Sequence, residues 1–301
     1  MHSHHPEVPE ELKQLFASEG LRLMGVADAV IDERGEAEYR QWIERNFHGS
    51  MEYMERHAAA KFRPEMLLPG CRSILVAGIN YYQRAGESSP GQGRIARYAW
   101  GRDYHKVLGK RLKRIRRLLE EHYPRQRFRS FTDATPLAER YYAEKAGIGF
   151  QGRNTLLISA QYGSWFLIGE VLSTQKFVPS APTRGEHGAC PSSCGKCIEV
   201  CPTGALYAPH RIDASLCISY LTIEHKGSIP EELRPKIGNW LFGCDLCQEV
   251  CPLNVRQQIT NEEDFRRVHA SSTQELAEIL DLPDQESFTN RFAGSPLMRA
   301  G

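Results

Sequence analysis

The chain has 301 residues, 41% of them hydrophobic and 25% charged, with a formal net charge of +1. These ordinary globular values exclude a disordered chain, a collagen-like chain and one that is basic throughout. The length is ample for a packed core, and no apolar run approaches the ~20 residues of a membrane span.

In chain order, His2, His4 and His5 read as an incidental flexible end. No charged-then-apolar signal segment follows, so a cytoplasmic protein is expected. A helix is predicted over residues 6–19, with Leu12, Leu15 and Phe16 on one face. Residues 23–27 suit a short strand and 36–47 a helix. Residues 72–79, behind the breaker pair Pro69-Gly70, are the best buried strand. Residues 103–122 form the clearest amphipathic helix, with Val107, Leu108, Leu112, Ile115, Leu118 and Leu119 as its apolar stripe. A strand over 127–132 and a helix over 136–146, with Pro136 in its first turn, come next. Two further strands, 154–158 and 165–172, turn at Tyr162-Gly163. Alternating strands and helices indicate an α/β or α+β domain. A Pro/Gly/Ser-rich loop at 179–188 marks a domain boundary, and the chain after about Asn261 reads as polar and mainly helical.

Eight of the nine cysteines lie between Cys190 and Cys251, which favours a small metal domain joined to a larger cysteine-poor one. The first motif is Cys190-x3-Cys194-x2-Cys197-x3-Cys201-Pro202. The second is Cys244-x2-Cys247-x3-Cys251-Pro252, with Cys217 between them. Soft thiolates suit iron–sulfur clusters or zinc, and a three-residue gap followed by Cys-Pro is the two-cluster ferredoxin pattern. In that pattern the fourth cysteine of each motif reaches across to the other cluster. Cys190, Cys194, Cys197 and Cys251 then hold one 4Fe-4S cluster, and Cys201, Cys217, Cys244 and Cys247 the other. The first motif departs from the pattern by one extra residue between Cys190 and Cys194. A pair of four-thiolate zinc sites is the alternative, and Cys71 reads as a buried small hydrophobe.

Clusters of this kind carry electrons and define no substrate, so the N-terminal region must supply the chemistry or the partner. It has neither a Gly-x-Gly-x-x-Gly fingerprint after a strand nor a P-loop. Asp103-Tyr104-His105 with Gly109 is one residue out of step with the Asp-x-His-x-x-Gly cobalamin motif and reads as a chance match. Asp133, at the end of a predicted strand, is a helix cap or a proton donor with its pKa raised by desolvation. The basic stretch from Arg102 to Arg117 is a solvated helix face or a phosphate-backbone footprint.

The sequence resembles the epoxyqueuosine reductase family, cobalamin-dependent iron–sulfur enzymes of tRNA modification. The resemblance rests on Gly101-Arg102-Asp103-Tyr104-His105, Ala143-Glu144-Lys145-Ala146-Gly147-Ile148-Gly149 and Cys217-Ile218-Ser219-Tyr220-Leu221-Thr222. Gly238-Asn239 and Gly243-Cys244-Asp245-Leu246-Cys247-Gln248 support it further. It implies an α+β fold with an α/β cobalamin- and substrate-binding domain (1–185) related to reductive dehalogenases. A ferredoxin-like domain (186–260) and a short helical segment (261–301) would follow. It also implies reduction of the epoxide of epoxyqueuosine, at the tRNA wobble position, to queuosine. A base-off cobalamin, reduced through the two clusters, would attack the epoxide carbon while an acid protonates the oxygen.

On that resemblance Asp133 is the proton donor, with Tyr104 and His105 near the reacting ring. Cobalamin contacts carry over to Lys61, Ala96, Leu157, Ile168, Ser219, Cys244 and Asp245. Glu224, His225 and Lys226, together with Arg114 and Arg117 of the basic helix, are expected to meet tRNA. A flavodoxin- or ferredoxin-type one-electron donor, a monomeric state and no membrane partner complete the expectation. Many members continue into a HEAT-like tail where this chain stops, so weaker tRNA binding is expected. A reductive dehalogenase acting on a small organohalide and a pure electron-transfer protein are the competing readings.

Overall fold

The computed structural model describes residues 9–133, 136–181, 188–255, 257–266 and 270–300. His2, His4 and His5 and most of the 179–188 loop lie outside the described residues. The strands are β1 (Leu23–Asp28), β2 (Ser73–Asn80), β3 (Gln92–Ile95), β4 (Phe128–Phe131), β5 (Phe150–Gln151), β6 (Leu157–Ile158), β7 (Phe166–Ser173), β8 (Leu206–Ala208), β9 (Arg211–Ile212), β10 (Trp240–Phe242) and β11 (Thr273–Glu275). The helices before the cysteine region are α1 (Glu10–Ser18), α2 (Glu33–Glu44), α3 (Glu52–Arg56), α4 (Ala58–Lys61), α5 (Pro64–Leu67), α6 (Tyr104–His122) and α7 (Glu139–Lys145). Those within and after it are α8 (Lys196–Glu199), α9 (Ile218–Ile223), α10 (Arg234–Ile237), α11 (Leu246–Glu249), α12 (Glu263–Arg266), α13 (Leu276–Leu280) and α14 (Gln285–Phe292).

The main sheet has the order β1-β2-β7-β4, with every neighbouring pair antiparallel. β2 is buried on both faces, as its unbroken apolar run Ile74–Ile79 requires. One face packs against α1 and the apolar stripe of α6, where Val107, Leu108, Leu112, Ile115 and Leu119 meet Leu75, Ala77 and Val171. The other face packs against α7 through Tyr142 and Ala143, which meet Ile74, Val76 and Leu172. Gly25 of β1 lets α7 approach closely: a Cβ there would lie 2.0 Å from the Ala146 carbonyl oxygen.

A second sheet crosses the chain. β3 lies between β10, to which it is parallel, and β11, to which it is antiparallel. Around it Ile95, Ala99 and Trp100 share a core with Phe242, Phe292 and Leu297.

Three local expectations change. The helix expected over 136–146 begins at Glu139, because its N-cap is Ala138, whose N–H donates to the Lys61 carbonyl. Asp133 therefore does not cap it; its φ of +43° turns the chain instead. The expected 154–158 strand shrinks to β6, since Gly152 N–H donating to Leu156 O closes a tight turn there. β6 pairs with β5 rather than with β7, although the turn at Tyr162-Gly163 does form through paired hydrogen bonds between Ser159 and Gly163. The expected helical segment after residue 261 also contains β11. Among the described residues no helix is long and apolar enough to cross a membrane.

Candidate active site and cluster sites

A cavity of about 1560 Å³ opens between α7, the β5–β6 turn, α2–α4 and the cysteine region. It exceeds the roughly 300–1,000 Å³ of ordinary ligand pockets. Tyr104, His105 and Asp133 stand on its wall, and so do Cys201, Cys217, Cys244 and Cys247.

Asp103 starts α6 by accepting the His105 N–H at 3.0 Å, which fixes the first turn of that helix. The same turn places Tyr104 and His105 against Asp133, which arrives from the end of β4. The Tyr104 hydroxyl donates to Asp133 Oδ2. His105 Nδ1 is 2.8 Å from Asp103 Oδ1, and its Nε2 is 3.4 Å from Asp133 Oδ2. Both ring nitrogens thus face carboxylates, and only the doubly protonated ring can donate to both. Burial disfavours that charge, but the bonds to Asp103 and Asp133 outweigh it and raise the His105 pKa to about 9.

Asp133 departs from the expected direction. Burial pushes its pKa up, yet the bonds from His105 and Tyr104 and the charges of His105 and Arg299 hold it down to about 2. Its side chain is 47% exposed, and it lines the cavity. The acid proton of the resting site therefore sits on His105, shared toward Asp133.

Of the other expected cofactor contacts, Lys61, Leu157, Ile168, Ser219, Cys244 and Asp245 line the cavity. Lys61 is a cation whose pKa burial lowers, with its Nζ 5.5 Å from the centre of the Tyr39 ring. Ala96 does not reach the wall. It is buried behind Gly243, where a Cβ would lie 2.6 Å from Ala96 Cβ, and its N–H donates to Phe242 O. Gly243, at φ +67°, turns the chain into Cys244 under that close packing. Asp245 is fully engaged by the Arg97 N–H at 2.8 Å and the Arg97 guanidinium at 3.0 Å.

The cysteines fall into two groups. Cys201, Cys217, Cys244 and Cys247 share the large cavity, whereas Cys190, Cys194, Cys197 and Cys251 enclose a small space beside it. Among the described residues no three His, Cys, Asp or Glu side chains converge closely enough to hold a single metal ion. Burial first, and neighbouring thiols next, raise the pKa of Cys197, and burial likewise raises Cys247 and takes Cys244 to about 12. The extra residue between Cys190 and Cys194 has a local support in Arg153. Its guanidinium donates to Cys194 O and Ser192 O, each at 2.6 Å, and its N–H reaches Cys190 Sγ at 3.4 Å. Cys71 is apart from both groups; burial raises its pKa to about 11 and its Sγ meets Ser73 O at 3.6 Å.

The residues expected to meet tRNA are not gathered in one place. Glu224 lines the cavity and pairs with Arg299 at 2.7 Å. His225 turns back to Ser228 O at 3.2 Å, and Lys226 is exposed. Arg114 is engaged by Glu19 at 2.5 Å, while Arg117 is exposed. Arg299, Glu139 and Tyr53 also line the cavity without having been singled out from the sequence. Each sits in a segment with no motif spacing, so no local signal marks them.

Two family profiles match the chain. "Epoxyqueuosine reductase QueG, DUF1730" covers residues 61–134, and "4Fe-4S double cluster binding domain" covers residues 190–254. The chain is 40% identical to the epoxyqueuosine reductase of Pseudomonas aeruginosa over 94% of its own length and 78% of that protein. It is 37% identical to that of Escherichia coli over 98% of its length and 78% of that protein. Among solved structures, an epoxyqueuosine reductase with an epoxyqueuosine-modified tRNA stem loop superposes at a TM-score of 0.86. That match has 29% identity and covers 97% of this chain and 79% of the other. The Bacillus subtilis epoxyqueuosine reductase, with its catalytic loop swung out of the active site, matches equally at 30% identity over the same shares. Near-full-length identity of this order places the chain in the epoxyqueuosine reductase family of oxidoreductases.

Proposed function

We propose that this chain reduces the epoxide of epoxyqueuosine in tRNA to the alkene of queuosine, with the first proton drawn from the His105–Asp133 pair. The observation that carries this is the meeting in one cavity of Tyr104, His105 and Asp133 with Cys201, Cys217, Cys244 and Cys247. An acid at one side and an electron entry at the other leave room for a large cofactor and a nucleoside between them. The thiol sets fit two clusters: Cys190, Cys194, Cys197 and Cys251 would hold one, and Cys201, Cys217, Cys244 and Cys247 the other. Lys61, Leu157, Ile168, Ser219, Cys244 and Asp245 would line a base-off cobalamin. When bound, the clusters supply single electrons and the cobalamin a strongly reducing, nucleophilic centre.

The protein's own task is then to hold a proton at the substrate oxygen and to exclude water. Tyr104 fixes the Asp133 carboxylate, and His105 holds the transferable proton against it at neutral pH. The stem loop would enter where Glu224 and Arg299 stand on the cavity wall, with His225 and Lys226 following in sequence and Arg117 meeting backbone phosphate farther out. A flavodoxin- or ferredoxin-type donor would deliver electrons, and a cytoplasmic monomer agrees with a tRNA substrate.

The test is an anaerobic assay of queuosine formation on epoxyqueuosine-tRNA with added cobalamin and a one-electron reductant. Protein purified without oxygen is expected to carry about eight irons, from the ligand count. Asp133→Asn is expected to retain iron and cobalamin and to lose turnover by on the order of a hundredfold or more. Zinc in place of iron overturns the electron path, and wild-type turnover in Asp133→Asn overturns the acid.

A further inference from the structure

Reducing an epoxide to an alkene consumes two electrons and two protons. Both carbon–oxygen bonds break, a carbon–carbon double bond forms, and the oxygen leaves as water. The one-electron donor supplies the electrons. The His105–Asp133 pair carries one transferable proton, so each turnover needs a second proton at the same place.

Two further carboxyl groups stand behind Asp133. Glu139 opens α7, and its carboxyl lies close to the Asp133 backbone N–H while its Oε1 is buried without a partner. Glu170 lies on β7, where it pairs with Phe131 of β4, two residues before Asp133, and with Val76 of β2. It is 0% exposed, and neither carboxyl oxygen has a hydrogen-bond partner. Alternation along β7 fixes its direction. Leu167 and Val171 face the α6 side, whereas Ile168 and Leu172 face the α7 side, so Glu170 projects toward α7 and the cavity end of the sheet. A buried carboxylate with no partner is costly as an anion and rests as the neutral acid.

We propose that Glu170 and Glu139 form a buried proton store that reloads the His105–Asp133 pair, supplying the second proton of each turnover. This rests on the reading of Asp133 and His105 given above. After the pair protonates the epoxide oxygen, Glu139 returns a proton to it, and Glu170 transiently reloads Glu139; once product leaves, water entering the cavity that Asp133 and Glu139 line returns both protons and restores the neutral Glu170. That proton goes on to the departing hydroxyl, which leaves as water. Neither glutamate touches the reacting atoms, so both are positioning residues.

The charged surroundings keep both carboxyls protonated at neutral pH. Glu139 faces Asp133, Arg140 and Lys61; burial and the Asp133 charge raise its pKa to about 8. Glu170 faces Glu139 and Asp133, and burial with those two charges raises its pKa well above the ordinary value. Asp133 in turn faces Tyr104, His105 and Arg299.

The test uses the holoenzyme, with infrared spectroscopy of the same proteins as a readout independent of turnover. Wild type is expected to show a protonated-carboxyl band at pH 7; Glu170→Gln removes it in part, and Glu139→Gln removes the component that titrates near pH 8. Glu139→Gln is expected to slow turnover on the order of tenfold and to move the alkaline limb of the pH profile upward, leaving the limb of His105. Glu170→Asp, which keeps an acid, is expected to recover most of the rate lost in Glu170→Gln. Wild-type rates and pH profiles in both Gln variants, with Asp133→Asn inactive, overturn the store alone. An active Asp133→Asn overturns the underlying acid reading instead. Should Glu170→Gln fail to fold, the Glu139→Gln pH profile and band decide the matter.

Discussion

At the scale of single residues, the pairing of Asp133 with His105 reverses what an isolated carboxyl in a cavity would do. Desolvation alone raises a carboxyl pKa, and from Phe131-Thr132-Asp133 only that influence is visible. The opposing partners arrive from the first turn of α6 and from Arg299 at the end of the described chain, which no local spacing announces. The cysteines are the contrary case, since their spacing carries the chemistry and their two groupings follow it. The ion pair makes a prediction about stability. His105 rises from 6.5 to about 9, so its contribution is complete below 6.5 and lost as pH rises through about 9. Asp133 falls from 3.8 to about 2, so its contribution is complete above 3.8 and lost as pH falls through about 2. The melting temperature of wild type should exceed that of Asp133→Asn most between about pH 4 and 6.5. Thermal scans across pH should show the gap closing toward pH 9; a constant gap would mean that the pair is not charged in the folded state.

Among the elements, those with long periodic patterns were readable and the short ones were not. The apolar stripe of α6 and the unbroken run of β2 specify themselves. β5 and β6, two residues each, have no period to read, and α7 starts late because Asp133 turns the chain ahead of it. The basic face of α6 divides on inspection. Arg111 holds Glu262, Arg114 holds Glu19 and Arg116 holds Glu120, each at 2.5 Å, so much of that charge serves the fold. Arg117 lies about 20 Å along the helix from Tyr104, at 1.5 Å per residue. Arg117→Glu is expected to reduce the slope of tRNA affinity against salt by about one, whereas Arg114→Glu lowers thermal stability instead. An unchanged slope in Arg117→Glu removes this helix from the interface. The contact of α7 with the sheet gives a sharper test. Gly25→Ala places a Cβ 2.0 Å from the Ala146 carbonyl, backbone against backbone, and should cost about 1–3 kcal/mol by chemical denaturation. Because α7 begins with Glu139, the same substitution should also disturb the acid site.

At the scale of the whole molecule, the segments on either side of the 179–188 loop share part of their cores, although the α7 side of the main sheet is packed by the first segment alone. β3 comes from the first segment, yet both of its neighbours, β10 and β11, lie beyond the loop. The wall of the cavity is equally divided, with the acid pair before the loop and Cys201, Cys217, Cys244 and Cys247 after it. Composition and motif spacing read along the chain could place a boundary in the loop but could not see these pairings across it. A fragment ending at residue 185 would leave β3 unpaired on both edges and would expose Ile95, Ala99 and Trp100, which now pack on Phe242, Phe292 and Leu297. Such a fragment is therefore expected to lack a cooperative thermal transition and to self-associate, by circular dichroism and light scattering. Supplying residues 186–301 as a second chain should restore the transition, since the missing strands and apolar partners then return. A monomeric fragment that melts cooperatively on its own would show that the main sheet is sufficient, and that the β3 sheet only fastens the electron-carrying region to it.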